Sequence, residues 1–149
     1  MKYVSVAVDG PAGSGKSTIT KMVAKSLGFN YVDTGAMYRA LTYNFLSNGL
    51  DELEEEKIKG LLGKIEFKVE YVDGVQYVYV NDEEVSDKIR TAEVSKFTSL
   101  FAKSRAVRDF LIDTQRNLAN TNNIIMDGRD IASVVLPNAD VKIFLTASV

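Results

Sequence analysis

The sequence predicts an α/β domain: a parallel sheet flanked by helices, with a small antiparallel β insert. Three observations carry this. A β-branched run, Tyr3 to Val8, leads through a glycine-rich segment into a helical stretch. Short apolar runs then alternate with helical segments, the order that builds parallel sheets through crossover connections. Between them, Phe67 to Val80 switches to strand periodicity around a turn signal. At 149 residues, 46% of them hydrophobic, the chain can bury one core and is too short for two large domains.

Taken in order, Tyr3 to Val8 suits a buried parallel strand closed by Asp9-Gly10. Ser17 to Leu27 puts Ile19, Met22, Val23 and Leu27 on one helical face, and Gly28 ends that helix. Phe29 to Val32 is a second short strand, and Ala36 to Leu46 a helix closed near Asn48-Gly49. Asp51 to Lys59 is acidic and reads as a solvated helix face. Phe67, Val69 and Tyr71 alternate with Lys68, Glu70 and Val72; Asp73-Gly74 then turns the chain into Gln76 to Val80, which makes a hairpin. Thr91 to about Ala119 returns to helix, broken near Ser104, with Val94, Phe97, Leu100 and Phe101 on one stripe and Val107, Phe110, Leu111 and Leu118 on another. Asn123 to Met126 is a strand ending on Asp127-Gly128, and Val141 to Leu145 is expected as a further buried strand. Ser148 stands where a helix cap would.

Composition removes several functions. There is no cysteine and no histidine, which excludes disulfides, thiolate metal sites and nucleophilic triads built on either residue. The formal charge is -2, from 18 basic and 20 acidic residues, so no broad electropositive field invites nucleic acid. MKYVSVAVDG carries one lysine and a short apolar stretch, which fits neither a signal peptide nor a membrane span; the expectation is a cytoplasmic protein.

Gly10-Pro11-Ala12-Gly13-Ser14-Gly15-Lys16-Ser17 matches G-x-x-x-x-G-K-S/T. Such a loop needs glycines with unusual dihedrals so that several N–H groups point inward at phosphate oxygens. The following helix adds the partial positive charge of its N-terminus; Lys16 reaches the β and γ phosphates of ATP and Ser17 is suited to ligate Mg2+. The motif alone leaves open a nucleotide-bound switch with no acceptor. Three further clusters fall where a strand end or a helix start would aim them at the carboxyl edge of the sheet. In VDTGAMYR, Thr34 and Arg39 suit an anionic group, or simply cap and decorate a surface helix. In IIMDGRD an apolar strand delivers Asp127, with Arg129 and Asp130 on the exit turn, unless this is a plain charged loop. Ser99 and Arg108, nine residues apart around the helix break, carry little by themselves.

The combination of DGPAGSGKST, YVDTGAMYR, VSDKIRTAEVS, the VR of RAVRDFL, MDGRDIASVVLPNA and VKIFLTAS resembles the bacterial cytidylate kinases, one of the nucleoside monophosphate kinase groups, over essentially the whole chain. The resemblance implies a three-layer P-loop kinase fold over residues 1–149, with residues 62–95 as the monophosphate-binding insert. It implies transfer of the ATP γ-phosphate to CMP or dCMP, with Gly10 through Thr18 holding the donor. Thr34, Arg39 and Arg129 would contact the acceptor phosphate, and Ser99, Arg108 and Asp130 would read the cytosine. Lys16, Asp127 and Arg129 would be catalytic, with Asp127 supporting the site around magnesium. Another small-molecule kinase, for AMP, UMP or shikimate, is the alternative enzyme; a non-catalytic nucleotide-binding module is the alternative outside that class. Neither nucleic acid, membrane nor an obligate protein partner is implied. Members of the group continue into an arginine-rich lid and a further core strand and helix, so residues 1–149 alone are expected to turn over poorly and to leave a sheet edge open.

Overall fold

A computed structural model describes residues 2–11 and 13–146; Ala12 and Ser148, both singled out above, lie outside the described residues. The elements run β1 (Ser5–Asp9), α1 (Lys16–Leu27), β2 (Asn30–Val32), α2 (Thr34–Ser47), α3 (Glu55–Leu62), β3 (Phe67–Val72), β4 (Val75–Val80), β5 (Glu83–Glu84), α4 (Ala92–Phe101), α5 (Arg105–Thr121), β6 (Ile124–Gly128), a single π-helical turn (Ile131–Val135) and β7 (Val141–Phe144). The chain divides into two compact units. Among the described residues no helix is long and apolar enough to cross a membrane.

The first unit comprises Met1–Asp33, Tyr71–Gln76 and Thr114–Val149. Its sheet is parallel in the order β2-β6-β1-β7. β1 is buried along its whole length, as a strand paired on both sides must be, and β6 is buried from Ile124 to Asp127. Val6, Val8, Ala24 and Ile125 form its core, with Phe29, Tyr31 and Leu145 packed against them. Because the register sets Val8 opposite Asp127 and Asp9 opposite Gly128, the glycine loop and the turn after β6 leave the sheet at the same, carboxyl end.

Two expectations need correction here. The apolar stripe of α1 is not a core face: Ile19, Met22, Val23 and Leu27 are exposed, and Thr20 and Ala24 are its buried residues. Helical periodicity groups the apolar residues on one face, but the face that meets the sheet is the one bearing Thr20 and Ala24. β7 is likewise not buried: all four of its residues are exposed, and among the described residues it pairs with β1 alone and lies at an edge of the sheet.

The second unit comprises Thr34–Glu70 and Tyr77–Asp113. Ala36, Ala40, Val78, Val80, Val85, Ile89 and Val94 form its core, and Phe45 meets Phe101 edge to face at 5.0 Å between centroids. The alternation read in β3 is reproduced residue by residue as half-buried and exposed positions. Asp73 (φ 52) and Gly74 (φ 79), at the hairpin tip that belongs to the first unit, both take left-handed backbone, the turn that matches the twist of a two-stranded hairpin. A second such pair, Asn81 (φ 49) and Asp82 (φ 65), adds β5 and goes beyond the sequence reading. The helix break at Ser104 has a local cause: its buried hydroxyl accepts from the Val107 N–H at 3.2 Å and starts α5, while Thr91 caps α4 by accepting from Val94.

Candidate functional site

The glycine loop leaves the buried end of β1 and enters α1. Gly13 (φ 82) and Gly15 (φ 75) both hold left-handed backbone, and a Cβ on either would meet no atom within 4 Å, so the demand there is conformational. Gly10 is required for a different reason: a Cβ at that position would lie 2.2 Å from the carbonyl oxygen of Leu145. Gly10→Ala is therefore expected to destabilise the fold by about 3 kcal/mol, and Gly13→Ala by only about 1 kcal/mol of backbone strain. Urea denaturation of both variants checks this; the reverse order would contradict it.

Gly15 is the N-cap of α1 and supplies no side-chain cap, and no acidic residue occupies the first turn. The orphan amides of that turn therefore face the loop without a protein carboxylate competing for them, an arrangement that favours an anionic ligand. Ser14 Oγ donates to the Pro11 carbonyl at 2.8 Å and closes the loop on itself. Lys16, half-buried, is the first helical residue, followed by the exposed Ser17 and Thr18.

Asp127 lies at the buried end of β6, 8% exposed. The Tyr31 hydroxyl donates to it, 3.1 Å from each carboxylate oxygen. Ser17 lies near the same phenol and acts on it, so the loop hydroxyl and the strand-end carboxylate both neighbour one side chain. Burial, and then the Asp127 charge, push the Tyr31 phenol well above its ordinary value and keep it a donor. No cluster of three or more acidic residues able to cage a metal occurs among the described residues. A hydroxyl and one carboxylate, both hard oxygen donors, fit magnesium, which takes few protein ligands beside phosphate and water.

Arg129, exposed, and Asp130 occupy the turn after β6, and the Asp130 carbonyl accepts from Val134 at 2.9 Å as the π-turn begins. Asp9, to which the sequence reading gave no role, fixes that turn: its carboxylate accepts from the N–H groups of Ile131 and Ala132, each at 2.8 Å. A second unanticipated group is Gln76. Its Oε1 accepts from the Asp33 N–H at 3.0 Å and from the Tyr71 hydroxyl at 2.7 Å, while its Nε2 donates to the Asp33 carbonyl at 3.1 Å. One amide thus fixes the residue before Thr34. A buried strand ending in a carboxylate was the available signal for Asp9; nothing local marks Gln76.

Of the remaining expected residues, Thr34 opens α2 and Arg39 is half-buried further along it. Ser99 is exposed in the last turn of α4, and Arg108 is exposed near the start of α5. These four belong to the second unit, whereas Lys16, Ser17, Asp127, Arg129 and Asp130 belong to the first. The first unit also holds a cavity of about 790 Å³ lined by Lys2, Tyr3, Arg116, Pro137 and Asp140 among others. It lies by the amino ends of β1 and β7, away from the glycine loop, and contains none of the residues above.

A parallel sheet whose first strand feeds a glycine loop and an uncapped helix, with a buried carboxylate on the neighbouring strand, defines a P-loop nucleotide-binding protein. The family model described as cytidylate kinase matches residues 6–149, and the chain belongs to that family. It is 52% identical over 149 residues to the cytidylate kinase of Leuconostoc mesenteroides subsp. mesenteroides, covering 100% of this chain and 66% of that protein. It is 47% identical over 148 residues to those of Caldicellulosiruptor bescii and Bacillus subtilis (strain 168), covering 99% of this chain and 66% of each of those proteins. The chain thus spans about two thirds of the length of these relatives.

Proposed function

We propose that this protein transfers the γ-phosphate of ATP to CMP or dCMP. The observation that carries the reading is the uncapped, acid-free N-terminus of α1 behind the glycine loop, with Tyr31 and Asp127 as neighbours, in a chain of the cytidylate kinase family. The name of the relatives supplies the acceptor class.

In this reading Gly10 through Thr18 hold the donor, with main-chain N–H groups and the Lys16 ammonium offsetting phosphate charge. Ser17 would hold magnesium, with Asp127 beside it; bound there, the ion would neutralise charge on the transferring phosphoryl group. Thr34, Arg39 and Arg129 grip the acceptor phosphate. Ser99, Arg108 and Asp130 read the base, because serine and arginine serve the O2 and N3 acceptors of cytosine and a carboxylate accepts from its amine. The acceptor oxygen is already anionic at neutral pH, so alignment and charge neutralisation suffice and no histidine base is needed.

Calorimetric titration of wild type with CMP, UMP and AMP should give clear preference for CMP. Arg108→Ala should weaken CMP binding by about 10-fold or more while changing ATP binding by less than about twofold, since a charge-assisted pair to the base touches only the acceptor. Equal losses for both ligands, or indifference to CMP in wild type, would overturn the reading.

A further inference from the structure

Tyr31 is the middle residue of the three-residue strand β2, and the parallel register sets it opposite Ile125 of β6. Asp127 is two residues beyond Ile125, so its side chain leaves the same face of the sheet as the tyrosine ring. The length of a phenol spans the remaining gap: the hydroxyl is equidistant, at 3.1 Å, from both oxygens of the buried carboxylate. The Ser17 side chain comes close enough to the phenol to act on it electrostatically, so Ser17, Tyr31 and Asp127 are neighbours at this end of the sheet. The ring itself is held on two sides. It packs against the Val6, Val8, Ala24 and Ile125 cluster, and the ammonium of Lys21, one turn beyond Ser17 on α1, lies 5.5 Å from its centroid.

A phenylalanine would fill the same apolar space, so packing accounts for the ring and leaves the hydroxyl to be explained. The hydroxyl neighbours two oxygen donors that come from elements far apart in sequence. We infer that Tyr31 is a positioning residue, which sets the spacing between the Ser17 hydroxyl and the Asp127 carboxylate and thereby tunes the affinity of the donor site for a magnesium nucleotide. This rests on the donor half of the proposed function, nucleotide and magnesium at the glycine loop, and is independent of which acceptor is used.

The test is a calorimetric titration of ATP into wild type and Tyr31→Phe, in EDTA and across a series of Mg2+ concentrations. Tyr31→Phe should bind ATP in EDTA as wild type does, whereas the Mg2+ concentration giving half of the metal-dependent gain should rise by about 10-fold, the low end of what losing an outer hydrogen-bond partner costs a metal site. Asp127→Asn supplies the second variant. If Tyr31 acts through Asp127, adding Tyr31→Phe to Asp127→Asn should move the Mg2+ midpoint no further. An unchanged midpoint in Tyr31→Phe, additive shifts in the double variant, or ATP binding by wild type that is indifferent to Mg2+ would each overturn the inference. Loss of CMP preference with the Mg2+ shift intact would instead count against the acceptor assignment alone.

Discussion

Lys16→Ala is expected to lower phosphoryl transfer by at least about 100-fold, the range measured for removing one preorganised charge-stabilising donor. The argument starts from geometry. Lys16 is the first residue of α1, on the far side of a loop whose Gly13 and Gly15 hold the backbone in the left-handed region. Its helix end carries no capping side chain and no acidic residue, and none of the ion pairs found among the described residues takes Lys16. Lys16 is half-buried as a residue, and in the proposed reading the phosphates of a donor nucleotide are the anions its ammonium meets. Alanine leaves the loop amides and the helix N-terminus in place, so part of the ATP affinity should survive. The transfer step should suffer more, because charge on the migrating group is then stabilised by one cation fewer. Arginine should rescue poorly, since a planar guanidinium cannot take the place of a compact ammonium beside a tight loop. Single-turnover transfer from labelled ATP, alongside calorimetric affinities for ATP and CMP, separates these effects. CMP affinity should stay within about twofold of wild type, since the proposed function has Lys16 touch only the donor. A loss of CMP binding as large as the loss of ATP binding would show that Lys16 acts through folding.

How far the chain could be read in advance follows from the range of the forces involved. The glycine loop, the Asp73-Gly74 turn and the break at Ser104 are set by residues within a few positions of one another, and all were legible. The exposed stripe of α1 was not. Helical periodicity reports that Ile19, Met22, Val23 and Leu27 share a face, but whether that face meets the sheet depends on partners elsewhere in the chain. β7 failed for the same reason, because its composition suits a central strand whereas its place in the order β2-β6-β1-β7 makes it an edge. In the candidate site, Lys16, Ser17 and Asp127 stand out because motif and strand end mark them. Tyr31 and Gln76 do not, since their roles arise only when β2 is laid beside β6 and when the hairpin turn reaches Asp33.

Asp9 illustrates how much stability one such non-local contact carries. It ends β1 at 6% exposure, and each carboxylate oxygen accepts one main-chain N–H, from Ile131 and from Ala132, at 2.8 Å. Its own carbonyl accepts from Leu145 at 2.8 Å, and the next amide, Gly10, donates to the Gly128 carbonyl at 3.2 Å. The turn after Arg129 and Asp130 is therefore held by the Asp9 side chain, while main-chain bonds at the same strand end tie in the start of the glycine loop and the residue after β7. Asp9→Asn keeps the shape and one acceptor oxygen, but its amide nitrogen must face a main-chain N–H, so two donors oppose each other in a buried place. Each unsatisfied buried donor costs about 1 to 3 kcal/mol, and the lost charge-assisted bonds add to that, for an expected loss of about 2 to 5 kcal/mol. For a chain of this length that corresponds to a fall in Tm of roughly 5 to 15 °C. Scanning calorimetry measures the total. Hydrogen exchange at the Ile131 and Ala132 amides tests the cause, because both should lose protection before the amides of β6 do. A variant within about 0.5 kcal/mol of wild type, with both amides still protected, would mean that those N–H groups find other acceptors and that the turn holds its shape without Asp9.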